Sequence, residues 1–165
     1  MWYHVNVVQR LKSALYNKGD YKYAAYMVYS DIDHPAVSTF INTIESRFCL
    51  KLCVPDRDFA IGSVTPLIMS ECLKSSEKII IFLSSDMFTQ DETKTDWSDT
   101  SLSLSLTLCK PTIIILLDTI EPEVLSRRKD LRAALKIMKT LHYESPDYKQ
   151  ELADVLLSSF NFQIM

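Results

Sequence analysis

The densest collection of groups able to do chemistry in this chain is one short run, Pro55-Asp56-Arg57-Asp58-Phe59-Ala60-Ile61-Gly62, in which a guanidinium stands between two carboxylates and two larger apolar side chains follow. A guanidinium flanked by carboxylates forms charge-assisted, often bidentate hydrogen bonds, either within the chain or across to a partner. Phe59 and Ile61 are side chains of the kind that anchor protein interfaces. Gly62 is one of only two glycines in the chain, so the exit from this run is one of few places where the backbone turns at positive φ without a Cβ in the way.

The remaining candidates are scattered. Nucleotide-binding turns such as GxGxxG or GxxxxGK[ST] use glycines to bring backbone N–H groups to phosphate, and neither motif is present. Asp31 and Asp33 have the spacing of a phospho-receiver acid pair, but Asp86 lies beyond its strand and Lys110 precedes its strand instead of ending it. His4, His34 and His142 are far apart in sequence, and no serine sits in a GxSxG elbow, so triad hydrolysis has no support. Cys49, Cys53, Cys72 and Cys109 form no CxxC pair, and none is near a histidine at metal-ligand spacing. Cys49 and Cys53 would share one strand face roughly 13 Å apart at about 3.3 Å per residue, too far for a disulfide. The expectation is reduced cytosolic thiols, no metal and no cofactor.

A chain of 165 residues suits one domain with one core. Its 47% hydrophobic and 24% charged residues are ordinary for a globular protein, and no apolar run approaches the roughly 20 residues that cross a bilayer. Net charge is −3, which argues against a nucleic-acid partner. Residues 1 to 19 hold Arg10, Lys12 and Lys18 and no acid, so the rest of the chain carries −6. With Trp2 and Tyr3 ahead of those bases, residues 1–20 have the aromatic-then-basic order of a juxtamembrane or linker segment, and equally suit a surface helix covering the domain with Val5, Val8, Leu11 and Leu15. Residues 21–165 form the domain.

The elements that position the charged run follow from periodicity. Lys22 to Ser30 is β-branched and aromatic, a strand, and Ser30 to Pro35 is a turn. Val37, Phe40, Ile41, Ile44 and Phe48 recur at helical spacing, with Glu45 and Arg47 facing away. Cys49 to Val54 is a second strand stopped by Pro55, and the charged loop leads to a helix with Thr65 as N-cap and Pro66 in its first turn. Leu67, Ile68, Met69 and Cys72 form the apolar face expected of that helix. Lys78 to Leu83 and Pro111 to Leu117 are continuously apolar, as strands covered on both faces are, and the first of them is the central strand. Asp96 to Leu108 is read as a helix, although its Ser-Leu alternation suits a strand equally. Glu123 to Leu141 is one helix with Leu131, Leu135 and Met138 as its stripe, a short strand lies near Lys139 to Tyr143, and Tyr148 to Phe160 is the last helix. Alternating strands and helices imply a flavodoxin-like α/β/α fold with a five-stranded parallel sheet in order 2-1-3-4-5. Its functional edge carries the loops after Ser30, Val54 and Leu83.

Two stretches carry a family resemblance. Tyr23-Ala24-Ala25-Tyr26-Met27-Val28-Tyr29-Ser30-Asp31 resembles the first conserved box of TIR (Toll/interleukin receptor) domains, and Leu52 to Gly62 resembles the second, the family's BB loop. The likeness continues through Lys78 to Ser84 and Asp96-Trp97, over about residues 22 to 160. It implies an innate-immune signalling module without catalysis, which docks on other TIR domains, homotypically and heterotypically and with weak self-association, through Pro55 to Gly62 and nearby helices. Leu50 to Asp58 is similar to the myeloid differentiation adaptor, whereas the N-terminal segment and Asp33-His34-Pro35-Ala36-Val37 resemble the cytoplasmic side of Toll-like receptors, the slightly favoured branch. The receptor branch implies a membrane tether just before residue 1.

Three departures from the family pattern stand out. Ile61 occupies the place where the BB loop commonly has proline, Asp147-Tyr148 stand where the third box has Phe-Trp, and Ser101 falls four residues after Trp97, where the NAD-cleaving branch has glutamate. A serine offers no charge to stabilise an oxocarbenium-like transition state, so TIR-type NAD glycohydrolysis is the alternative and not the expectation, with Asp99 as the carboxylate that would serve it.

Overall fold

Apolar strand-length runs separated by amphipathic helical stretches bury their side chains best as a sheet covered on both faces. The computed structural model has this architecture, and it describes residues 21–48, 50–59, 66–88, 97–108, 110–143, 148 and 151. In chain order the elements are β1 (Tyr23–Val28), α1 (His34–Phe48), β2 (Leu52–Cys53), α2 (Pro55–Asp58), α3 (Pro66–Lys74), β3 (Ser76–Leu83), α4 (Trp97–Thr107), β4 (Thr112–Leu116), α5 (Pro122–Arg127), α6 (Lys129–Ile137) and β5 (Lys139–His142). Short 3-10 turns follow β1 at Asp31–Asp33 and β3 at Ser85–Phe88. The strands form one parallel sheet in the order β2-β1-β3-β4-β5, with β3 at its centre.

Strand alternation divides the core in two. On one face Ala25, Met27, Ile80, Phe82, Ile113 and Ile115 meet α1 through Val37, Phe40, Ile41 and Ile44. Phe40 and Phe82 pack edge to face there, with centroids 5.0 Å apart. On the other face Tyr26, Val28, Ile79, Ile81, Leu83 and Ile114 meet Leu73 of α3, Leu102 of α4, and Leu131 and Ala134 of α6. Each fully buried isoleucine contributes roughly 1.5–3 kcal/mol, so the three central strands hold most of the apolar stabilisation. Tyr148 is buried in the first cluster and lies 5.2 Å from Tyr143. Residues 1–20, and all but Tyr148 and Glu151 of the stretch from Tyr148 to Phe160 expected as the last helix, lie outside the described residues. No helix among the described residues is long and apolar enough to cross a membrane.

Four local expectations change. Pro55 does not open an irregular loop but starts the single helical turn α2, its fixed φ suiting the first helical position. Leu67 is 70% exposed, and α3 buries Leu73 in its place beside the expected Met69. The stretch after β4 is two helices broken at Arg128, whose backbone leaves the helical region at φ −109° and ψ 84° while Val124, Leu125, Leu131, Ala134 and Leu135 all pack on the second core cluster. Glu45 does not face away, as described below. The Ser-Leu stretch is helical in α4: Ser101, Leu102 and Ser105 are buried, and small serines let the helix lie close to its neighbours.

Candidate functional site

The charged run is held at its root. Val54, the N-cap of α2, is extended, and its N–H donates to Asp58 Oδ2 at 2.8 Å, so the Asp58 side chain reaches back over the turn. The N–H groups of Arg57 and Asp58 both donate to the Val54 carbonyl, at 3.1 and 2.8 Å. Arg57 extends the other way, to α1. Its Nη1 donates to Glu45 Oε2 at 2.7 Å and its Nη2 to Glu45 Oε1 at 2.9 Å, a bidentate pair, while Nη2 also reaches the Leu52 carbonyl at 3.0 Å and Nε reaches Asp58 Oδ1 at 3.1 Å. Glu45 Oε1 accepts a further bond from the Leu52 N–H at 3.3 Å. Hydrogen bonding to Glu45 first and Asp58 second pushes the guanidinium further above its ordinary range, so it stays charged at every accessible pH. The arrangement ties β2, α2 and α1 into one joint around a single positive charge.

Of the residues expected to dock, Pro55 is buried, and Arg57 and Asp58 spend these hydrogen bonds locally. Phe59 is half-buried against the second core cluster. Asp56 belongs to α2, but its side chain lies outside the described residues, as do Ala60, Ile61 and Gly62 entirely. Sequence reasoning missed Glu45, whose partner is twelve positions away on another element and leaves no local signal.

The neighbouring strand ends are bound to each other. Ser84 Oγ donates to Asp33 Oδ2 at 2.5 Å, linking the turns after β1 and β3. Ser85 donates from its N–H to Asp118 Oδ1 at 2.7 Å and from its Oγ to Asp118 Oδ2 at 2.8 Å, linking β3 to the loop after β4. The loops after β1, β2 and β3 therefore share one sheet edge, as expected. Lys110 lies at the opposite edge, where its Nζ donates to the carbonyls of Lys74 and Ser76, so it is not a receiver-type lysine facing Asp31 and Asp33.

The place of the NAD-cleaving carboxylate is occupied differently. Ser101 is fully buried; its Oγ is 2.9 Å from Tyr26 Oη of β1 and 3.5 Å from Met69 Sδ of α3. The side chain of Asp99 lies outside the described residues. Among the described residues no cluster of histidine, cysteine, aspartate or glutamate is suited to a metal ion.

Solved structures share this architecture. The TIR domain of the Toll-related receptor TRR-2 from Hydra magnipapillata superposes with a TM-score of 0.61 at 20% identity, over 82% of this chain and 98% of that one. The fold is that of a TIR domain. A metazoan TIR-STING receptor from C. gigas, solved in complex with 2′,3′-cGAMP, matches with a TM-score of 0.61 at 18% identity, over 86% of this chain and 40% of that longer one. No family model and no curated protein matches the sequence. Pro55–Asp58 follow the second strand of this fold directly, and the Glu45–Arg57 pair lies at their base.

Proposed function

We propose that this chain is an innate-immune signalling module that works by docking on other TIR domains through Pro55 to Gly62. The observation that carries the proposal is the joint of Glu45, Arg57 and Asp58, which holds the root of the loop at the edge where the strand ends gather. In this assignment Arg57 and Asp58 shape the loop, while Phe59 and Ile61 supply the anchors. Ile61 replaces a φ-restricting proline with a bulky apolar group and makes the loop's tip more adhesive. Residues 21–165 are the TIR domain and residues 1–20 a juxtamembrane or linker segment. The aromatic-basic opening and the likeness to a Toll-related receptor favour a receptor's cytosolic domain over an adaptor.

Docking is preferred to NAD cleavage because Ser101 is neutral, buried and bonded to Tyr26, and a serine at this position offers a ribose no carboxylate. The test is co-precipitation with other TIR domains, with folding checked by circular dichroism. Phe59→Ala and Ile61→Ala are each expected to weaken capture about tenfold, the size of a modest hot spot. If both variants fold and bind as the parent does, the loop is not the interface. Robust NAD loss with concentrated protein, abolished by Asp99→Ala, would replace the docking proposal with the enzymatic one.

A further inference from the structure

All five strands run in one direction, so all begin at one edge of the sheet, opposite the loops described above. Lysines collect at that edge. Lys22 precedes β1, Lys51 precedes β2, Lys74 and Lys78 flank the start of β3, Lys110 precedes β4, and Lys136 and Lys139 lead into β5. Among the described residues every lysine except Lys129 lies within three positions of a strand's first residue, and the one acid that does so is Glu77. Glu45 also reaches the start of β2, but its carboxylate is taken up by Arg57 and the Leu52 N–H. The opposite edge has the reverse character, for the loops leaving β1, β3 and β4 carry Asp31, Asp33, Asp86, Asp118, Glu121 and Glu123.

Lys78 is buried and Lys110 half-buried, whereas Lys22, Lys51, Lys74, Lys136 and Lys139 are exposed. Lys22 Nζ and Lys51 Nζ each stand 5.3 Å from the centre of the Tyr23 ring, and Lys110 Nζ stands 5.0 Å from that of Tyr21. The rings hold ammonium groups of like sign near one another, a repulsion that an anionic surface relieves. Two apolar groups open to solvent lie among them, Tyr21, 36% exposed, and Ile137, 83% exposed.

We propose that this edge rests on a bilayer containing anionic phospholipids, the exposed lysines meeting the headgroups while Tyr21 and Ile137 enter the interface. With neighbouring strands about 4.8 Å apart, the row is roughly 19 Å across, too extended for one small anion and suited to several headgroups at once. Basic groups interleaved with exposed apolar ones are the combination that binds a membrane surface, and a tyrosine is at home at headgroup depth. Residues 1–20 join the domain at this same edge and carry Arg10, Lys12 and Lys18 against one acid, Asp20, so the chain entering β1 adds to the positive side.

The charge asymmetry also fixes an orientation. Anionic headgroups attract the lysine edge and repel the acidic one, so the acidic edge faces the solvent. Membrane contact and docking would then use opposite ends of the sheet. The proposal goes beyond the docking function and stands whether or not the loop docks.

The experiment is co-sedimentation of the full-length chain with vesicles of phosphatidylcholine, with and without phosphatidylserine. Binding is expected only to the anionic vesicles and should fall as salt is raised. The double variant Lys51→Gln, Lys139→Gln, folded by circular dichroism, should bind about 25-fold more weakly, about fivefold for each lysine. Arg127→Gln with Lys129→Gln removes the same charge outside the row and should bind as the parent does. Ile137→Ala should weaken binding severalfold and leave its salt dependence unchanged. Equal sedimentation with uncharged vesicles overturns the proposal, as does undiminished binding by the Lys51, Lys139 variant or an equal loss in the Arg127, Lys129 variant. Absence of vesicle binding, with self-association in analytical ultracentrifugation that the Lys51, Lys139 variant loses, overturns it in favour of a second copy of the chain.

Discussion

Two polar junctions adjoin the β1–β2 pair, and they are built on opposite terms. At the base of the loop Glu45, Arg57 and Asp58 meet as charges, with the Arg57 side chain 44% exposed. Between β1, α3 and α4, the side chains of Tyr26, Ser101 and Met69 meet as neutral groups in the core. Water screens the first junction, so each ion pair there contributes little, and a partner's charges can compete for the same groups. The second admits no such exchange, because a charge placed in it lacks both water and a counter-ion. A binding loop suits the first environment, and an unpaired catalytic carboxylate is costly in the second.

The sharpest way to break this contrast is Ser101→Glu, which forces a carboxylate between Tyr26 and Met69. It should lower stability by about 3–5 kcal/mol, the cost of an uncompensated buried charge, measured by urea denaturation. A variant that folds within about 1 kcal/mol of the parent would mean that the position has room for an acid, and NAD cleavage would regain ground.

At the charged junction the effects are smaller. Asp58→Ala removes the acceptor of the Val54 N–H and one partner of Arg57, and a loss of roughly 1–2 kcal/mol is expected in the same titration. A double-mutant cycle on Glu45→Ala and Arg57→Ala should give a coupling of about 0.5–1 kcal/mol that shrinks in high salt. Coupling that salt leaves untouched would show that the pair behaves like a buried one.

The smallest effect concerns Asp33. Burial raises its carboxyl above the ordinary range, with Asp86 and Asp118 adding to the rise and the Ser84 hydrogen bond opposing it. The folded state therefore holds this proton more tightly than the unfolded one, and ionised Asp33 costs stability once pH rises through its folded pKa. Asp33→Asn keeps an oxygen for Ser84 and removes the charge. It should stabilise by a few tenths of a kcal/mol at neutral pH, with the gain fading below about pH 4, as followed by thermal melts across pH. A gain that persists in acid would assign the effect to something other than this ionisation.

The fold was legible because its signals are local. Continuous apolar runs at Ile79 to Leu83 and Thr112 to Leu116 announce covered parallel strands, the spacing of Val37, Phe40, Ile41 and Ile44 announces α1, and the order of elements restricts the sheet to few topologies. The loop from Pro55 to Gly62 also stood out unaided, by its charges and its glycine. What the sequence could not show were contacts between groups distant along the chain. Glu45 looks like any solvent-facing helix residue until Arg57 meets it; Ser101 and Tyr26 are joined across seventy-five positions. Periodicity records which side of an element is buried, whereas the partner met on that side depends on how separate elements pack, and that is decided only by the tertiary structure.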